Sequence, residues 1–481
     1  MLDTRANDNV PANRGVKEDR RSSALVPVLR EFIADTLTPI SAYIALASPG
    51  RSCLLESVEG SDRISRYSFI GLDYLETLIL DSGAEINSAL RTMLARYAPL
   101  DAVKLPFSGG VVAVFSYDAA RSYERIGPRP PADVAIPDLY AVVPGTWVVF
   151  DHFTDKATLI GFARPGEEAH IGERLDGYLA RLLSATPSLP RPLRLTEAVS
   201  ASMDEATFFD RVARAKHSIF EGDAYQLQVG IRFSGTLEGE AFDLYRQLRA
   251  RNPSPYMFYV DTPFGAILGA SPEFLVRLDG QAAQLRPLAG TRSRGATPEE
   301  DAAIGKELIA NEKERAEHVM LVDLGRNDLG RVCAYGSVHV DELMKIERYS
   351  HVMHIVSNVQ GELRPEFDAL DLFAAAFPAG TVTGTPKIRA MQIIDELESV
   401  ARGFYAGSVA HLDFDGDMDS CITLRSAHVA NGRIYWQASA GIVADSEPQA
   451  EYAEIMHKTR IIRDALGLPS STAQHAQDDE V

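Results

Sequence analysis

The pattern of apolar and polar positions predicts a chain in which strands and helices are mixed from end to end. Alternating or continuous apolar runs predict strands at residues 41–47, 52–58, 74–81, 109–115, 146–150, 157–162, 225–233, 256–261, 274–278, 281–285, 422–429 and 434–440. Helical spacing predicts helices at residues 24–34, 86–97, 172–183, 202–221, 240–251, 311–330, 367–377 and 386–398, and from residue 446 onward. Hairpin turns are indicated by Asp279-Gly280 and Asn431-Gly432. Many hairpins among helices favour an α+β fold with largely antiparallel sheets.

Composition shifts divide this pattern into two domains and two tails. Residues 1–22 are polar and mixed in charge, with no signal-peptide core, so we expect a disordered tail. Residues 185–195 carry three prolines and mark the domain boundary. We therefore expect an N-terminal domain over residues 23–190, a C-terminal domain over residues 200–467 and a polar tail over residues 468–481.

Composition and charge exclude several classes of protein. With 46% hydrophobic and 24% charged residues over 481 positions, the chain is typical of a soluble globular protein. The net charge of −19 argues against nucleic-acid binding. No apolar run approaches the 18 or so residues that a membrane span needs. The three cysteines have no metal or redox spacing, which favours a reducing compartment and predicts a cytoplasmic protein.

Two pairs of glutamates on predicted helices are candidates for a metal site. Glu314 and Glu317 are three apart, so both carboxylates leave the same helix face, where like charges repel. A solvated acidic face beside Lys313 is the alternative explanation for this pair. Glu451 and Glu454 repeat the spacing on the last predicted helix. Because Mg²⁺ binds through carboxylates and substrate oxygens, the two pairs together favour a Mg²⁺ site.

Three features of the C-terminal half suit anion binding. Residues 380–387, Gly-Thr-Val-Thr-Gly-Thr-Pro-Lys, lead into a predicted helix whose free N–H groups can bind an anion, with a tight structural turn as the equal alternative. Arg425 lies in an otherwise apolar strand pattern, so we expect it to meet a carboxylate of the protein or of a ligand. The backbone at Gly441 ends the next predicted strand and offers N–H groups to an anion.

Two residue types in this half suit proton transfer. Glu273 opens an apolar strand, where partial burial would raise its pKa and suit it to general acid catalysis. An exposed glutamate at a strand end is the alternative. His351 and His354 are three apart, so at most one of them faces a site if the segment is a strand. Either histidine is a candidate base, with a core histidine as the alternative.

Four motifs, in this order, resemble those of the chorismate-utilising enzymes. They are Asn311-Glu-Lys-Glu-Arg-Ala-Glu317, Tyr349-Ser-His-Val-Met-His354, Pro378-Ala-Gly-Thr-Val-Thr-Gly-Thr-Pro-Lys-Ile-Arg-Ala-Met391 and Gln449-Ala-Glu-Tyr-Ala-Glu454. The resemblance covers residues 202–466 closely and 25–71 more loosely, and within the family the chain looks like component I of anthranilate synthases. It implies large, mostly antiparallel sheets that form a sandwich flanked by helices. It also implies a chorismate-binding catalytic domain at residues 200–467 and a regulatory or structural domain at residues 23–190.

The resemblance implies a site built for chorismate, which is a dicarboxylate. Mg²⁺ on the four glutamates would take the ring carboxylate. The residues implied to bind the rest of the substrate are Thr381, Tyr405, Arg425, Gly441 and Lys458. Ammonia would add at ring C2 while the C4 hydroxyl leaves with a proton from Glu273. His354 would then remove the C2 proton as pyruvate is lost, with Thr381 beside the ring.

Two positions distinguish the chain from relatives with other chemistry. The water-using members of the family carry a lysine where this chain has Gln226, and an amide cannot act as a general base. Aminodeoxychorismate synthases carry a nucleophilic lysine where this chain has Ala289, which cannot form a covalent adduct. The resemblance therefore implies direct addition of ammonia, with Gln226 among the catalytic residues.

A regulatory tryptophan site is also implied by the resemblance. Its residues are Glu56, Ser57, Asn252, Pro255, Tyr256, Met257, Phe258, Gly269, Gly416 and Cys421. The Glu56 carboxylate suits an ammonium group, and Met257 with its aromatic neighbours suits an indole. A plain strand pair across the domain boundary is compatible with the same residues.

None of the motifs in this chain indicates where the ammonia would come from. None of Cys53, Cys333 and Cys421 lies in a nucleophile elbow with a partner histidine, so the sequence shows no recognisable glutaminase. We therefore expect a separate glutamine amidotransferase subunit, component II, in a hetero-oligomer, and a reaction that begins tryptophan biosynthesis. Two alternatives remain: component I of an aminodeoxychorismate synthase, and a catalytically inactive homologue that senses tryptophan.

Overall fold

The structure, a computed structural model, describes residues 25–58, 66–81, 83–97, 109–186, 188–349 and 352–468. The α-helices of these ranges are α1 (Pro39–Leu46), α2 (Ile86–Tyr97), α3 (Glu168–Leu183), α4 (Glu205–Phe220), α5 (Ala241–Arg251), α6 (Pro298–Ala310), α7 (Glu312–Gly330), α8 (Ala369–Ala376), α9 (Lys387–Leu397) and α10 (Pro448–Ala465). Two short 3-10 helices span Tyr117–Ser122 and Gly380–Val382. The predicted tail at residues 1–22 and residues 469–481 of the second tail lie outside the described residues.

The strands account for most of the remaining described chain. They are β1 (Val26–Ile33), β2 (Cys53–Glu56), β3 (Tyr67–Leu80), β4 (Gly110–Phe115), β5 (Leu139–Asp151), β6 (Lys156–Ala163), β7 (Arg194–Leu195), β8 (Ser200–Ala201), β9 (Gln226–Glu238), β10 (Tyr256–Thr262), β11 (Gly265–Ser271), β12 (Phe274–Asp279), β13 (Ala282–Leu285), β14 (Leu288–Ser293), β15 (His339–Arg348), β16 (Val352–Glu362), β17 (Gly384–Thr385), β18 (Ser408–Asp413), β19 (Met418–Ile422), β20 (Ser426–Ala430) and β21 (Arg433–Ile442). All of the pairings between them are antiparallel.

The strand ladder branches at β5 into two arms. One arm runs through β3, β2, β10, β11, β20, β21 and β9. The other runs through β4, β18, β19, β12, β13 and β16, with β14 and β15 paired to β16. β6 pairs with the end of β5, and β1 pairs with the other edge of β6.

Side-chain alternation along the strands packs the two arms against each other. In β4, Val112 and Val114 join an apolar cluster with residues of β10, β11, β18 and β19, between the arms. Val111, Ala113 and Phe115 point the other way, into a cluster that includes α2, α7 and α8. The outer face of the first arm is covered by α1, α3, α4, α5, α9 and α10. This arrangement confirms the predicted α+β fold, an antiparallel sandwich flanked by helices.

Two local predictions near the N-terminus are wrong. Within residues 24–34, predicted as a helix, Val26–Ile33 form strand β1, which pairs along its whole length with β6. Of residues 41–47, predicted as a strand, all but Ala47 belong to α1. This helix is initiated by a reciprocal capping box between Thr38 and Ser41 and by a proline in its first turn. Pairing with β6 outweighs helix propensity in the first case, and helix-start residues outweigh an apolar run in the second.

The two halves of the chain share strand pairs. β2 lies beside β10, with Glu56 opposite Met257, and β4 lies beside β18. The division into domains at residues 190–200 stays a prediction. No helix of the described ranges is long and apolar enough to cross a membrane.

Candidate active site

The four predicted metal ligands lie on two helices, as their spacing indicates. Asn311 caps α7 by accepting a hydrogen bond from the backbone of Glu314, which places Glu314 and Glu317 in its first turns. Glu451 and Glu454 lie in the first turns of α10. Burial raises the pKa of Glu317, and the neighbouring carboxylates of Glu314 and Glu454 raise it further. The two helices thus bring the pairs near enough to act on each other.

Three of the four carboxylates pair with a cationic or amide side chain of the protein. Arg292 donates to Glu314 at 3.0 Å, and Lys458 pairs with Glu454 at 2.6 Å. Glu317 accepts from the Gln226 amide at 3.0 Å. Across the part of the chain that the structure describes, no three acidic, histidine or cysteine side chains stand as a ready-made metal cluster.

The chemistry of the donor set nevertheless fits a hard divalent cation. Burial and the carboxylate of Glu454 both raise the pKa of Glu451, as like charges do for Glu317. A cation among these oxygens would relieve that repulsion, and Mg²⁺ prefers carboxylate and substrate oxygens. Arg292 and Lys458 are the positive charges that now balance two of the carboxylates.

Glu273 occupies the setting of a buried acid. It precedes β12 and is only 8% exposed. Burial raises its pKa to about 8, although a hydrogen bond from the Thr381 hydroxyl to Oε1, at 3.3 Å, lowers it slightly. Glu273 and Thr381 both line a cavity whose other lining residues include Leu321 and Leu324. At neutral pH the carboxyl is mostly protonated, and because Oε1 accepts from Thr381, the proton belongs on Oε2.

His354 is a buried, neutral imidazole. It lies on β16 opposite Thr291, and burial lowers its pKa to about 4. Its Nδ1 lies 3.0 Å from the carbonyl oxygen of Gly290, which can only accept, so Nδ1 carries the proton and Nε2 keeps its lone pair. A Cβ on Gly290 would lie 2.9 Å from Glu314, so this glycine separates the imidazole from the carboxylates. His351 lies outside the described residues.

Gln226 and Gly441 lie together beside the carboxylates. Gln226 is 4% exposed and begins β9, which pairs with β21 so that Gln228 faces Gly441. A Cβ on Gly441 would lie 2.8 Å from the Gln226 amide nitrogen and 3.0 Å from that of Gln228. Only glycine fits at position 441 with both amides in place, and its absent side chain leaves the backbone open to a ligand.

Tyr405 and Lys458 meet at Ser439. The buried Tyr405 hydroxyl lies 2.8 Å from Ser439 Oγ, and Lys458 donates to the Ser439 carbonyl at 2.9 Å. Burial raises the pKa of Tyr405, which keeps its phenol protonated as a donor. Lys458 thereby bridges the carboxylate of Glu454, on the same helix, and the backbone of strand β21.

The prediction that Arg425 lies within a continuous strand is wrong. The expected strand over residues 422–429 breaks between β19 and β20, and Arg425 lies in the break with a φ of 47°. A positive φ does not fit a strand, so the backbone turns at this residue. The charge of Arg425 contributes to the lowered pKa of His354, which places it near the imidazole.

The predicted tryptophan residues gather around the β2–β10 pair. Glu56, opposite Met257, is 4% exposed and accepts from Tyr245 at 2.5 Å and from Arg249 at 2.9 Å. Its carboxylate is therefore part of the protein's own ion pair. Ser57 follows it, and its buried hydroxyl has no hydrogen-bond partner among the described residues.

The remaining residues of this group, other than Gly416, lie on or next to β10. Phe258 pairs with Gly269 and shares an apolar cluster with Cys421, and a Cβ on Gly269 would lie 2.4 Å from the Phe258 ring. Tyr256 donates to Asp419 at 2.9 Å. The others lie nearby in sequence or in turns: Pro255 precedes β10, Asn252 ends α5 with its amide on Ser254 at 3.0 Å, and Gly416 lies in the exposed β18–β19 turn.

Sequence reasoning missed the polar residues that support the site. Gln228 accepts from Ser439 at 2.9 Å, and neither residue belonged to the predicted set. Arg292, on Glu314, was also missed. The available signal was Gln226 and Gln228 two apart in an apolar strand, which puts both amides on one face.

The chain belongs to the family of chorismate binding enzymes, whose model matches residues 50–464. Anthranilate synthase component 1 from Streptomyces coelicolor is 43% identical, over 96% of this chain and 93% of its own length. The protein of the same name from Thermus thermophilus is 44% identical over 92% and 97%, respectively. The crystal structure of anthranilate synthase component I from Streptococcus pneumoniae superposes with a TM-score of 0.77 at 35% identity, covering 90% of this chain and 99% of that one. These likenesses confirm the family that the four motifs indicate.

Proposed function

We propose that the chain converts chorismate and ammonia to anthranilate and pyruvate, as component I of an anthranilate synthase. The observation that carries the proposal is a buried acid and a buried base of opposite protonation. The pKa of Glu273 is raised to about 8 and that of His354 is lowered to about 4. At neutral pH the carboxyl holds a proton and the imidazole lacks one, which are the states that a proton donor and a proton acceptor need.

The acid serves departure of the C4 hydroxyl. Hydroxide is a poor leaving group, so the C–O bond breaks as Glu273 Oε2 gives up its proton and water leaves. The Thr381 hydroxyl, bonded to Oε1, fixes the rotation of the carboxyl group. Ammonia forms its bond to C2 with its own lone pair, the electron pairs of the two ring double bonds shift toward C4 as the C4–O bond breaks, and the added nitrogen loses a proton to solvent.

The base serves aromatisation. His354 Nε2 takes the C2 proton, the electron pair enters the ring, and the ring C–O bond to the enolpyruvyl group breaks. The group leaves as the enolate of pyruvate, which gains a proton to become pyruvate. The Gly290 carbonyl holds the proton on Nδ1 throughout. Arg425, Tyr405 and the backbone at Gly441 would take the pyruvyl carboxylate, which must stay oriented until this step.

Glu314, Glu317, Glu451 and Glu454 would hold Mg²⁺, which supplies a positive charge for the ring carboxylate. The Gln226 amide on Glu317 orients one of these ligands. Neither Gln226 nor Ala289 can activate water or form a covalent adduct, which supports ammonia as the nucleophile. Ala289 is 7% exposed on β14.

Two further parts of the proposal concern supply and control. Ammonia would come from a separate glutamine amidotransferase subunit in a hetero-oligomer, in keeping with the word component in the names of the relatives. Tryptophan would bind around Ser57 and Met257 and inhibit the reaction. The setting would be the cytoplasm and the first step of tryptophan biosynthesis.

Product identification tests the proposal. The purified full-length chain is incubated with chorismate, MgCl₂ and ammonium at alkaline pH, followed by anthranilate fluorescence and a coupled pyruvate assay. Equal amounts of the two products are expected, with turnover lost in EDTA and restored by Mg²⁺. Accumulation of 4-amino-4-deoxychorismate without pyruvate would instead support the aminodeoxychorismate synthase alternative. Tryptophan binding without any turnover would support the inactive homologue.

A further inference from the structure

A fully buried ion pair lies behind the substrate-facing residues. The side chains of Arg402 and Glu398 are 2% and 4% exposed. The guanidinium donates two hydrogen bonds to the carboxylate, of 2.6 and 2.9 Å. Glu398 follows the last residue of α9, and Arg402 precedes the segment that carries Tyr405. The carboxylate also accepts from the backbone of Gly230 on β9, at 2.8 Å.

The remaining donors of the guanidinium reach two parts of the site. Nη1 donates to the carbonyl of Val382 at 2.7 Å, and Nη2 donates to the carbonyl of Gln228 at 3.3 Å. Val382 directly follows Thr381, whose hydroxyl bonds to Glu273. Arg402 therefore joins the loop that carries Thr381 to strand β9.

The same guanidinium is linked to Tyr405 by a second route. The side chain of Gln228 accepts from Ser439 at 2.9 Å, and Ser439 bonds to the Tyr405 hydroxyl at 2.8 Å. The Tyr405 ring itself lies 6.0 Å from the Arg402 guanidinium carbon, within cation–π range. Thr381 and Tyr405 lie on different segments, and hydrogen bonds connect both segments to the guanidinium of Arg402.

Stabilisation of the fold does not by itself explain why an ion pair, and not two apolar residues, is buried here. Two apolar residues of similar volume often stabilise a core as well as a buried ion pair does, because burying charges costs desolvation free energy. A planar guanidinium offers what an apolar pair cannot, namely several donors in a fixed geometry. Here those donors meet one carboxylate and two backbone carbonyls on three separate segments.

We propose that Arg402, held by Glu398, is a positioning residue that sets the placement of Thr381 relative to Tyr405. It touches no reacting atom and acts through the Val382 and Gln228 carbonyls. The inference rests on the proposed function, because Thr381 and Tyr405 are the residues assigned to chorismate. It gives a role in that function to Arg402, which is not among the residues proposed to contact chorismate.

Arg402→Lys tests the placement, since lysine keeps the charge and loses the planar fork. We expect kcat/KM for chorismate, per folded site, to fall about 100-fold, the loss typical of a misplacement near 1 Å. The KM for ammonia is expected to keep its wild-type value, because neither the Thr381 loop nor the Tyr405 segment is assigned to ammonia. Wild-type kcat/KM in folded Arg402→Lys would overturn the proposal. Glu398→Gln, which loosens the same guanidinium, decides the question if Arg402→Lys does not fold.

Arg121→Lys is the matched control. Arg121 also forms a largely buried ion pair, at 2.9 Å with Asp118 and 2.7 Å with Asp395, but its bonds reach neither the Thr381 loop nor β9. We expect a loss of thermal stability similar to that of Arg402→Lys and no change in kcat/KM. An equal loss of kcat/KM in both variants would show a general effect of destabilisation and overturn the positioning role.

A double substitution separates positioning from independent action. If Arg402 works through Thr381, the loss in Arg402→Lys with Thr381→Ala should be smaller than the product of the two single losses. A loss equal to that product would overturn coupling through Thr381.

Hydrogen–deuterium exchange supplies a readout that needs no turnover. The loop amide of Thr383, bonded to the Gly380 carbonyl, and the β9 amide of Gln228, bonded to the Thr383 carbonyl, should exchange faster in Arg402→Lys and not in Arg121→Lys. Unchanged exchange in both segments would overturn the inference. If the wild type makes no anthranilate, the proposed function fails while the exchange data still decide the role of Arg402.

Discussion

Replacing Glu273 by glutamine should change how the stability of the protein depends on pH. Glutamine has nearly the same shape as the protonated carboxyl and cannot ionise. In the wild type, burial raises the pKa of Glu273 from 4.5 to about 8. This difference of roughly 3.5, at about 1.4 kcal/mol for each pKa unit, means that ionising the folded carboxyl costs roughly 5 kcal/mol.

The sign of the effect follows from proton binding. Between pH 4.5 and about 8 the unfolded chain has lost this proton and the folded chain holds it, so raising the pH favours unfolding. The contribution of Glu273 to stability is complete below pH 4.5, falls by about 1.4 kcal/mol per pH unit through this window, and changes no further above it. Glu273→Gln removes this slope.

Urea unfolding of both proteins measures the slope. Between about pH 5.5 and about pH 7.5 the wild type should lose about 2.7 kcal/mol of unfolding free energy that Glu273→Gln keeps. Exposed Glu173 on α3 provides the control, because Glu173→Gln should follow the wild-type profile. Parallel profiles for wild type and Glu273→Gln would refute the raised pKa.

Activity gives a second measure of the same carboxyl. Glu273→Gln has no proton to give, so kcat/KM should fall about 10²- to 10⁴-fold. In the wild type, kcat/KM expressed per neutral ammonia should fall as the pH rises above about 8, where the carboxyl loses its proton. A profile that keeps rising through this range would show that another group protonates the leaving hydroxyl.

Three further predictions concern the base, the metal site and the inhibitor. His354→Gln should lower anthranilate formation by about 10²-fold or more and accumulate an aminated intermediate that retains its enolpyruvyl group; chromatography with mass detection would contradict this if no such species appeared. Gln226→Leu removes the donor to Glu317 and should weaken Mg²⁺ binding about 10-fold or more in calorimetry, and an unchanged Kd would exclude an orienting role. Ser57→Phe should raise the tryptophan concentration for half-inhibition at least about 10-fold, equivalent to about 1.4 kcal/mol, without changing turnover; unaltered inhibition would remove Ser57 from the regulatory site.

Local signals predicted the elements that their own residues determine. The helix predicted at residues 311–330, the Asp279-Gly280 hairpin and the buried strand β4 are all confirmed. Such features need only a short stretch of chain, because capping, turn geometry and side-chain alternation act within a few residues. The position of Glu273 at the start of a buried strand is confirmed for the same reason.

Features that depend on distant contacts could not be predicted. Pairing with β6 makes a strand of residues 26–33, and the pairing partner lies more than a hundred positions away. The break at Arg425 depends on the pairings of β19 and β20 with different strands. The placement of Arg402 between Val382 and Gln228 has no sequence signature, because two of its acceptors are backbone carbonyls.

The pairs β2–β10 and β4–β18 have a consequence for how the protein can be divided. If the chain were cut near residue 195 and only the second half produced, β10 and β18 would each lose a neighbour and expose unpaired backbone groups. Open strand edges recruit other chains, so this fragment should aggregate. Supplying the first half in trans should restore solubility by covering both edges. Each half therefore covers strand edges of the other, and neither half is expected to stay soluble alone.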